Sequence, residues 1–422
     1  MKIDVSLDVN LLAVQQDEEL TALVELTAPS AKAEEQRAAC ALVVVLDRSG
    51  SMAGDRLEGA KQALTSLVTR LRPDDVFGLV VFDTEVDLIV PARRLGDKAG
   101  VIRRINRVSP GGCTDLAAGY LRGLQEARRV AGASSATVLL ISDGHANAGL
   151  TDADQLADIA TAAAGERVST SALGFGLGYD ETLLSAIARG GRGNELFAEN
   201  ADAAGALIAG EVDGLLSQSV QAASLLVRMS PHVRVIRVVN DTPSAMVDDG
   251  LLIELGGFYA DEVRKLLMTF SIPGISGLGL AEVATLELRF VDMALLREQV
   301  VKLPLHANVV PGDEAAGRLP DPAVVTELAF QRAQQAKRSA SMDLSAGDSS
   351  AAVAHLLAAR SVIGSALPGA PAAASADLHE ESDALDRMLA EARYGNGSRA
   401  AKLLSADSSL KSRNRGRRRP SA

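Results

Sequence analysis

Residues 41–46 read Ala-Leu-Val-Val-Val-Leu, an unbroken apolar run that ends on Asp47. A run with no polar alternation suits a strand buried on both faces, the central position of a parallel sheet. Leu57, Ala60, Leu64, Leu67, Val68 and Leu71 then recur at helical spacing, and Pro73 follows them. The alternation continues. Strands are expected over 75–82, 86–90, 137–142, 168–175 and 194–198. Helices are expected over 97–107, 115–131, 152–164, 180–188 and 201–216. Strand and helix in turn predict an α/β domain over 39–216, with an open, doubly wound, mostly parallel sheet.

The pattern changes on either side of that domain. Ile3, Val5, Leu7 and Val9 alternate with polar residues, and a second strand-like run spans 20–26. A polar stretch over 30–37 reads as a linker. After residue 216, strand-like runs at 220–229, 233–239, 250–255, 262–272, 280–291 and 298–307 follow one another without helices. Asn240-Asp241-Thr242-Pro243 and Asp248-Asp249-Gly250 mark turns between them. The expectation is an antiparallel β-sandwich over 217–310. Two strands alone are marginal in water, so residues 1–38 are expected to complete it, and the α/β domain becomes an insertion.

Residues 311–404 read as helical, with apolar positions Val324, Val325, Leu328, then Val353, Leu356, Leu357, Ile363, then Leu385, Met388, Leu389, Ala392. A Pro/Ala/Gly-rich linker is expected at 364–375. Residues 405–422 read as a disordered basic tail, because Lys411, Arg413, Arg415, Arg417, Arg418 and Arg419 fall there. Removing those six leaves 37 of the 43 basic groups against 54 acidic ones, so the body is strongly acidic.

An acidic body, no Trp and 3% aromatic residues argue against nucleic-acid binding. Cys40 and Cys113 are too few for a disulfide framework. The start, MKIDVSLDVNLL, lacks the features of a signal peptide, and no uninterrupted apolar run reaches membrane-spanning length. A reduced, cytoplasmic protein without a membrane span is the expectation.

Three short segments carry chemistry. In Asp47-Arg48-Ser49-Gly50-Ser51-Met52 an aspartate directly follows a buried strand, with hydroxyls two and four residues on. Ligand sites in α/β sheets lie beyond the carboxyl ends of strands. In Gly111-Gly112-Cys113-Thr114-Asp115-Leu116 the glycines permit a tight loop, and Thr114 adds a hydroxyl at the head of a helix. Ser142-Asp143-Gly144 is a second aspartate at a strand end. Hard oxygen donors suit Mg²⁺ or Mn²⁺. Neutral hydroxyls compensate little of the ion's charge, which leaves it seeking an anionic ligand. Each segment alone could be a helix N-cap with a polar turn. The three occur together, in order, each after the expected element.

These segments resemble the von Willebrand factor type A domain and its metal-ion-dependent adhesion site, whose pattern is Asp-x-Ser-x-Ser, a Thr in a Gly-rich loop, and an Asp after the fourth strand. Asp47, Ser49, Ser51, Thr114 and Asp143 match all five positions. Phe175, Tyr179-Asp180-Glu181, Leu183-Leu184, Ile187-Ala188 and Gly193 extend the resemblance to bacterial members, and the flanking β-sandwich resembles bacterial relatives of inter-alpha-trypsin inhibitor heavy chains. The resemblance implies that the serines touch the metal directly, that Thr114 does so when ligand is bound, and that Asp47 and Asp143 act mainly through water. A partner's Asp or Glu would complete the octahedron.

Other features are weaker. Gly174-Phe175-Gly176-Leu177-Gly178 lacks dinucleotide-loop spacing, and there is no P-loop or G-x-S-x-G. The five histidines form no metal motif; His145 reads as a loop residue beside Asp143. Cys113 reads as packed, Asp115 as a cap or supporting carboxylate, and Arg48 as either a contact for an acidic partner or a solvated residue. The function expected is a non-enzymatic, metal-dependent protein-interaction module. The alternative is an adaptor subunit of an ATPase-driven assembly, MoxR-type or chelatase-like, with the ATPase on a separate protein. A metal-assisted hydrolase is the third reading, for which no positioned base is visible.

Overall fold

Three strands open the chain: β1 (Lys2–Leu7), β2 (Leu11–Ala13) and β3 (Glu18–Thr27). In the computed structural model, which describes residues 1–30, 37–131, 135–144, 146–295 and 297–413, they belong to a unit formed by Met1–Ser30 with Ala222–Ala422. The second unit is Ala31–Gln221.

The second unit contains β4 (Ala41–Asp47), α1 (Asp55–Arg70), β5 (Val76–Phe82), β6 (Val86–Arg94), α2 (Lys98–Asn106), α3 (Leu116–Val130), β7 (Ala136–Ser142), α4 (Ala153–Gly165), β8 (Val168–Phe175), α5 (Glu181–Gly190), β9 (Arg192–Ala198) and α6 (Ala201–Leu216). The sheet order is β6-β5-β4-β7-β8-β9. Only the edge strand β6 runs antiparallel to its neighbour. All seven residues of β4 and of β7 are buried, which is why their sequences carry no alternation. Val43 and Val45 pack with Val138 and Leu140 beneath α3 and α5. Leu42, Val44 and Leu46 are equally buried on the opposite side. Each such side chain contributes roughly 1.5–3 kcal/mol of burial. The chain leaves β4 toward β5 and later returns to β7 on β4's other side. The sheet's topological switch point therefore lies between β4 and β7, where a doubly wound fold places its ligand site.

The other unit holds β10 (Gln218–Met229), β11 (Val235–Val238), β12 (Ser244–Val247), β13 (Gly250–Tyr259), β14 (Val263–Ile272), β15 (Gly279–Asp292) and β16 (Arg297–Val310), then α7 (Gly312–Ala316), α8 (Pro322–Ser345), α9 (Ser349–Ala366), α10 (Ala372–Tyr394) and α11 (Gly397–Ser412). Its two sheets run β1-β3-β14-β11 and β12-β13-β10-β15-β16-β2. The N-terminal strands thus pair with strands from far along the chain: β3 with β14, and β2, in parallel, with β16. Leu23 and Leu267 face each other in register and pack against Val324 of α8, which seats the helices on the sheet.

The region read as a disordered tail needs correcting. α11 runs through 405–412, with Ser408, Lys411 and Ser412 buried. The tail residues 414–422 lie outside the described residues, as do 31–36 of the expected N-terminal linker. The expected linker at 364–375 shrinks to a 3-10 turn, Leu367–Gly369, with helices running up to both sides. Ser349–Gly369 is the one stretch among the described residues long and apolar enough to cross a membrane. It is interrupted by His355 and Arg360, and it packs Ala352, Leu356, Ala359 and Ile363 into the helical core.

Candidate metal centre

Asp47 closes β4, and its side chain is fully buried. One carboxylate oxygen accepts from the Ser49 N–H at 2.7 Å, and the other from the Ser142 hydroxyl at 2.6 Å. The backbone then makes a single 3-10 turn, Gly50–Met52, pinned by buried Met52, before Gly54 at φ 83° redirects it into α1. This turn keeps the two serines together: their Oγ atoms are 3.1 Å apart. Ser51 Oγ also donates to Asp143 Oδ1 at 2.7 Å, across 92 residues.

Thr114 is buried and reaches the same place by a second route. A Cβ placed on Gly144 would lie 3.4 Å from both Ser51 Oγ and Thr114 Oγ1, so both hydroxyls converge on the turn after β7. Several bonds fix the Gly111–Thr114 loop. Gly111 N–H donates to the Arg48 carbonyl at 2.7 Å, and Gly50 N–H to the Gly112 carbonyl at 3.0 Å. Asp83 accepts from Gly112 N–H at 3.1 Å, and Thr84 Oγ1 accepts from Cys113 N–H at 2.9 Å. Thr114 and Asn147 are tied twice, through Thr114 N–H to Asn147 Oδ1 at 2.9 Å and Asn147 N–H to the Thr114 carbonyl at 3.2 Å.

The donor set fits a small divalent cation. Mg²⁺ with oxygen ligands at about 2.1 Å needs adjacent ligands about 3 Å apart. The Ser49–Ser51 and Ser51–Asp143 separations, 3.1 and 2.7 Å, bracket that edge. Burial pushes the Asp47 carboxyl above the usual range, and the neighbouring Asp143 charge adds to this. The Ser142 and Ser49 hydrogen bonds only partly offset it. Two carboxylates at the ends of neighbouring strands repel each other, and a cation between them relieves that repulsion. Asp83 goes the other way. Burial works against ionisation there, but the Glu85 and Gly112 N–H groups and Arg48 hold the carboxyl below its ordinary value.

Each residue singled out in the sequence now has a place. Asp47, Ser49, Ser51, Thr114 and Asp143 come together at the switch point. Asp115 caps α3, accepting from Ala118 N–H at 3.0 Å. Arg48 neither reaches outward nor floats in solvent: it pairs with Asp83 at 3.2 Å and Asp87 at 2.8 Å. Cys113 is exposed, not packed, because the loop bonds through its backbone. His145 lies outside the described residues. The glycine run after β8 serves as a turn, with Gly176 at φ 74°.

Sequence reading missed Arg56, Asp83, Thr84 and Asn147. Arg56 Nη1 pairs with Asp143 Oδ2 at 2.5 Å. The hairpin position of Asp83-Thr84 was the only available signal, and it gives no hint of what they hold.

Residues 41–209 match the family model of the von Willebrand factor type A domain. The chain is 26% identical over 321 residues to the uncharacterized protein sll0103 of Synechocystis sp., covering 73% of this chain and 76% of that protein. It is 33% identical over 153 residues to inter-alpha-trypsin inhibitor heavy chain H1 of Mesocricetus auratus, a match that covers 34% of this chain and 17% of that protein. Among solved structures, a von Willebrand factor type A protein from Catenulispora acidiphila superposes with TM-score 0.74 at 16% identity, over 96% of both chains. The ArnB paralog VWA2 from Sulfolobus acidocaldarius does so with TM-score 0.64 at 14% identity, over 97% of this chain and 98% of that one. These two show a common fold along nearly the whole chain.

Proposed function

We propose, from the premise that this chain is a von Willebrand factor type A domain protein, that its oxygen cluster holds Mg²⁺ or Mn²⁺ and through the ion captures an Asp or Glu side chain of another protein. The observation that carries this reading is the spacing of the Ser49, Ser51 and Asp143 oxygens at the switch point of the sheet. A bound ion supplies positive charge that two carboxylates and three neutral hydroxyls leave open to a further anionic ligand. The chain's own residues do the rest. Asp47, held by Ser49 and Ser142, fixes the first turn. The Asp83–Thr84 hairpin and Asn147 hold Thr114 over the site. The cluster's hydroxyls bond to Asp143 and to one another, an arrangement suited to holding a cation; we read the site as a binding centre, not a catalytic one.

Partner capture from lysate tests the reading. Proteins recovered by the full chain in Mg²⁺ should be lost in EDTA and with Asp47→Ala. Identical recovery under all three conditions would contradict it.

A further inference from the structure

Arg56 is the second residue of α1, and its guanidinium turns back toward the metal centre. Nη1 donates to Asp143 Oδ2 at 2.5 Å and to the Ser51 carbonyl at 3.3 Å. On the other side it lies against Gly176, where a Cβ would fall 3.1 Å from Nη2 and 3.2 Å from Cζ. A side chain at that position, besides being strained at φ 74°, would require the guanidinium to give by a few tenths of an ångström. The Asp143 side chain is wholly buried, whereas Arg56 is 40% exposed, so the arginine forms part of the centre's open rim. Among the described residues, Nη2 and Nε make no hydrogen bond, and both lie on the Gly176 side of the group.

We infer that Arg56 determines the specificity of this site: its fixed charge loosens the hold on the metal and tightens the hold on an anionic ligand. The inference rests on the metal-binding reading. With Asp47 and Asp143 ionised and Arg56 charged, a divalent ion leaves the centre with one net positive charge; without Arg56 the same centre is neutral. The guanidinium competes with the ion for Asp143 and repels it. Once the ion is in place, the same charge favours a carboxylate, which a planar guanidinium can also hydrogen-bond directly. Metal affinity is thereby exchanged for anion affinity, and the site favours acidic groups over neutral oxygen ligands.

Titration of the full chain with Mn²⁺ alone, followed by calorimetry, tests this. Arg56→Gln should bind Mn²⁺ tighter by on the order of tenfold, a gap that narrows with added salt. Arg56→Met should match it, and Arg56→Lys, which keeps the charge, should stay near the parent. At saturating Mn²⁺, a short peptide carrying a single aspartate should bind the Gln and Met variants several-fold more weakly than the parent. Unchanged or weaker Mn²⁺ binding by Arg56→Gln and Arg56→Met overturns the inference and leaves the metal reading intact; weaker binding would make Arg56 a mere brace for Asp143. Peptide binding that does not depend on Arg56, or is absent in the parent, overturns its anion half. A parent chain that takes up no Mn²⁺ overturns the metal reading and the inference together.

Discussion

Asp47 and Asp143 end adjacent buried strands, yet their surroundings divide the work between them. Asp47 spends both oxygens inside the fold, on Ser49 and Ser142, while Asp143 faces Ser51 and Arg56. The Asp47–Ser49–Ser51 turn was legible in the sequence, because the three sit within five residues of one another at the end of an apolar run. The Ser142–Asp47 and Arg56–Asp143 contacts were not, because they span 95 and 87 residues and depend on how separate segments meet. The same limit hid a buried charge cluster in the helical region. The side chains of Lys337 and Glu381 are fully buried against each other, and Lys411 reaches Glu381 at 2.8 Å and Asp407 at 3.0 Å. In the sequence, Lys411 was simply one member of a basic tail. Burial opposes ionisation of Glu381, but Lys337 and Lys411 more than offset it and take its pKa from 4.5 to about 2. A folded-state pKa below the unfolded one stabilises at neutral pH. That contribution is fully present above about pH 4.5 and fades as pH falls toward 2. Glu381→Gln should destabilise the helical region by about 3 kcal/mol at pH 7, read by urea unfolding, with the gap to the parent closing in acid. A loss of under about 0.5 kcal/mol at pH 7 would show that the cluster adds nothing.

At the level of elements, the loop between α2 and α3 is where the site is most easily disturbed. A Cβ on Gly111 would run into the Asp83 carboxylate that holds Gly112. Gly111→Ala should therefore shift Thr114 and weaken Mn²⁺ binding by on the order of tenfold, with an unchanged far-ultraviolet circular dichroism spectrum. Binding equal to the parent would mean the loop's position does not matter to the ion. Elements were legible wherever burial wrote a period into the chain. β4 and β7 announced themselves as continuous apolar runs. β12 was invisible because all four of its residues are exposed at a sheet edge, and no face had to be apolar. β2 has only three residues, too few for alternation to register. The last part of α11, 405–412, reads as tail in the sequence because its buried residues are Ala406, Ser408, Lys411 and Ser412, held partly by ion pairs, and so show no apolar stripe.

At the level of the molecule, the chain order of strands and helices carried most of the architecture, because connectivity in a doubly wound sheet follows from alternation itself. What alternation could not give was the seating of α8 on β3 and β14, made by Leu23, Leu267 and Val324, three positions more than two hundred residues apart at the extremes. All five oxygen-bearing residues, and every group that holds them, lie within Ala31–Gln221, so the candidate metal centre lies wholly in one unit. The central claim is that these oxygens form one cation site. Its most direct test is Mn²⁺ titration of the full chain beside the double variant Ser49→Ala, Ser51→Ala, with folding checked by circular dichroism. The parent should bind a single Mn²⁺ per chain, and the double variant should bind it weaker by on the order of a hundredfold. Equal affinity in the two proteins, or no binding by the parent, would contradict the claim.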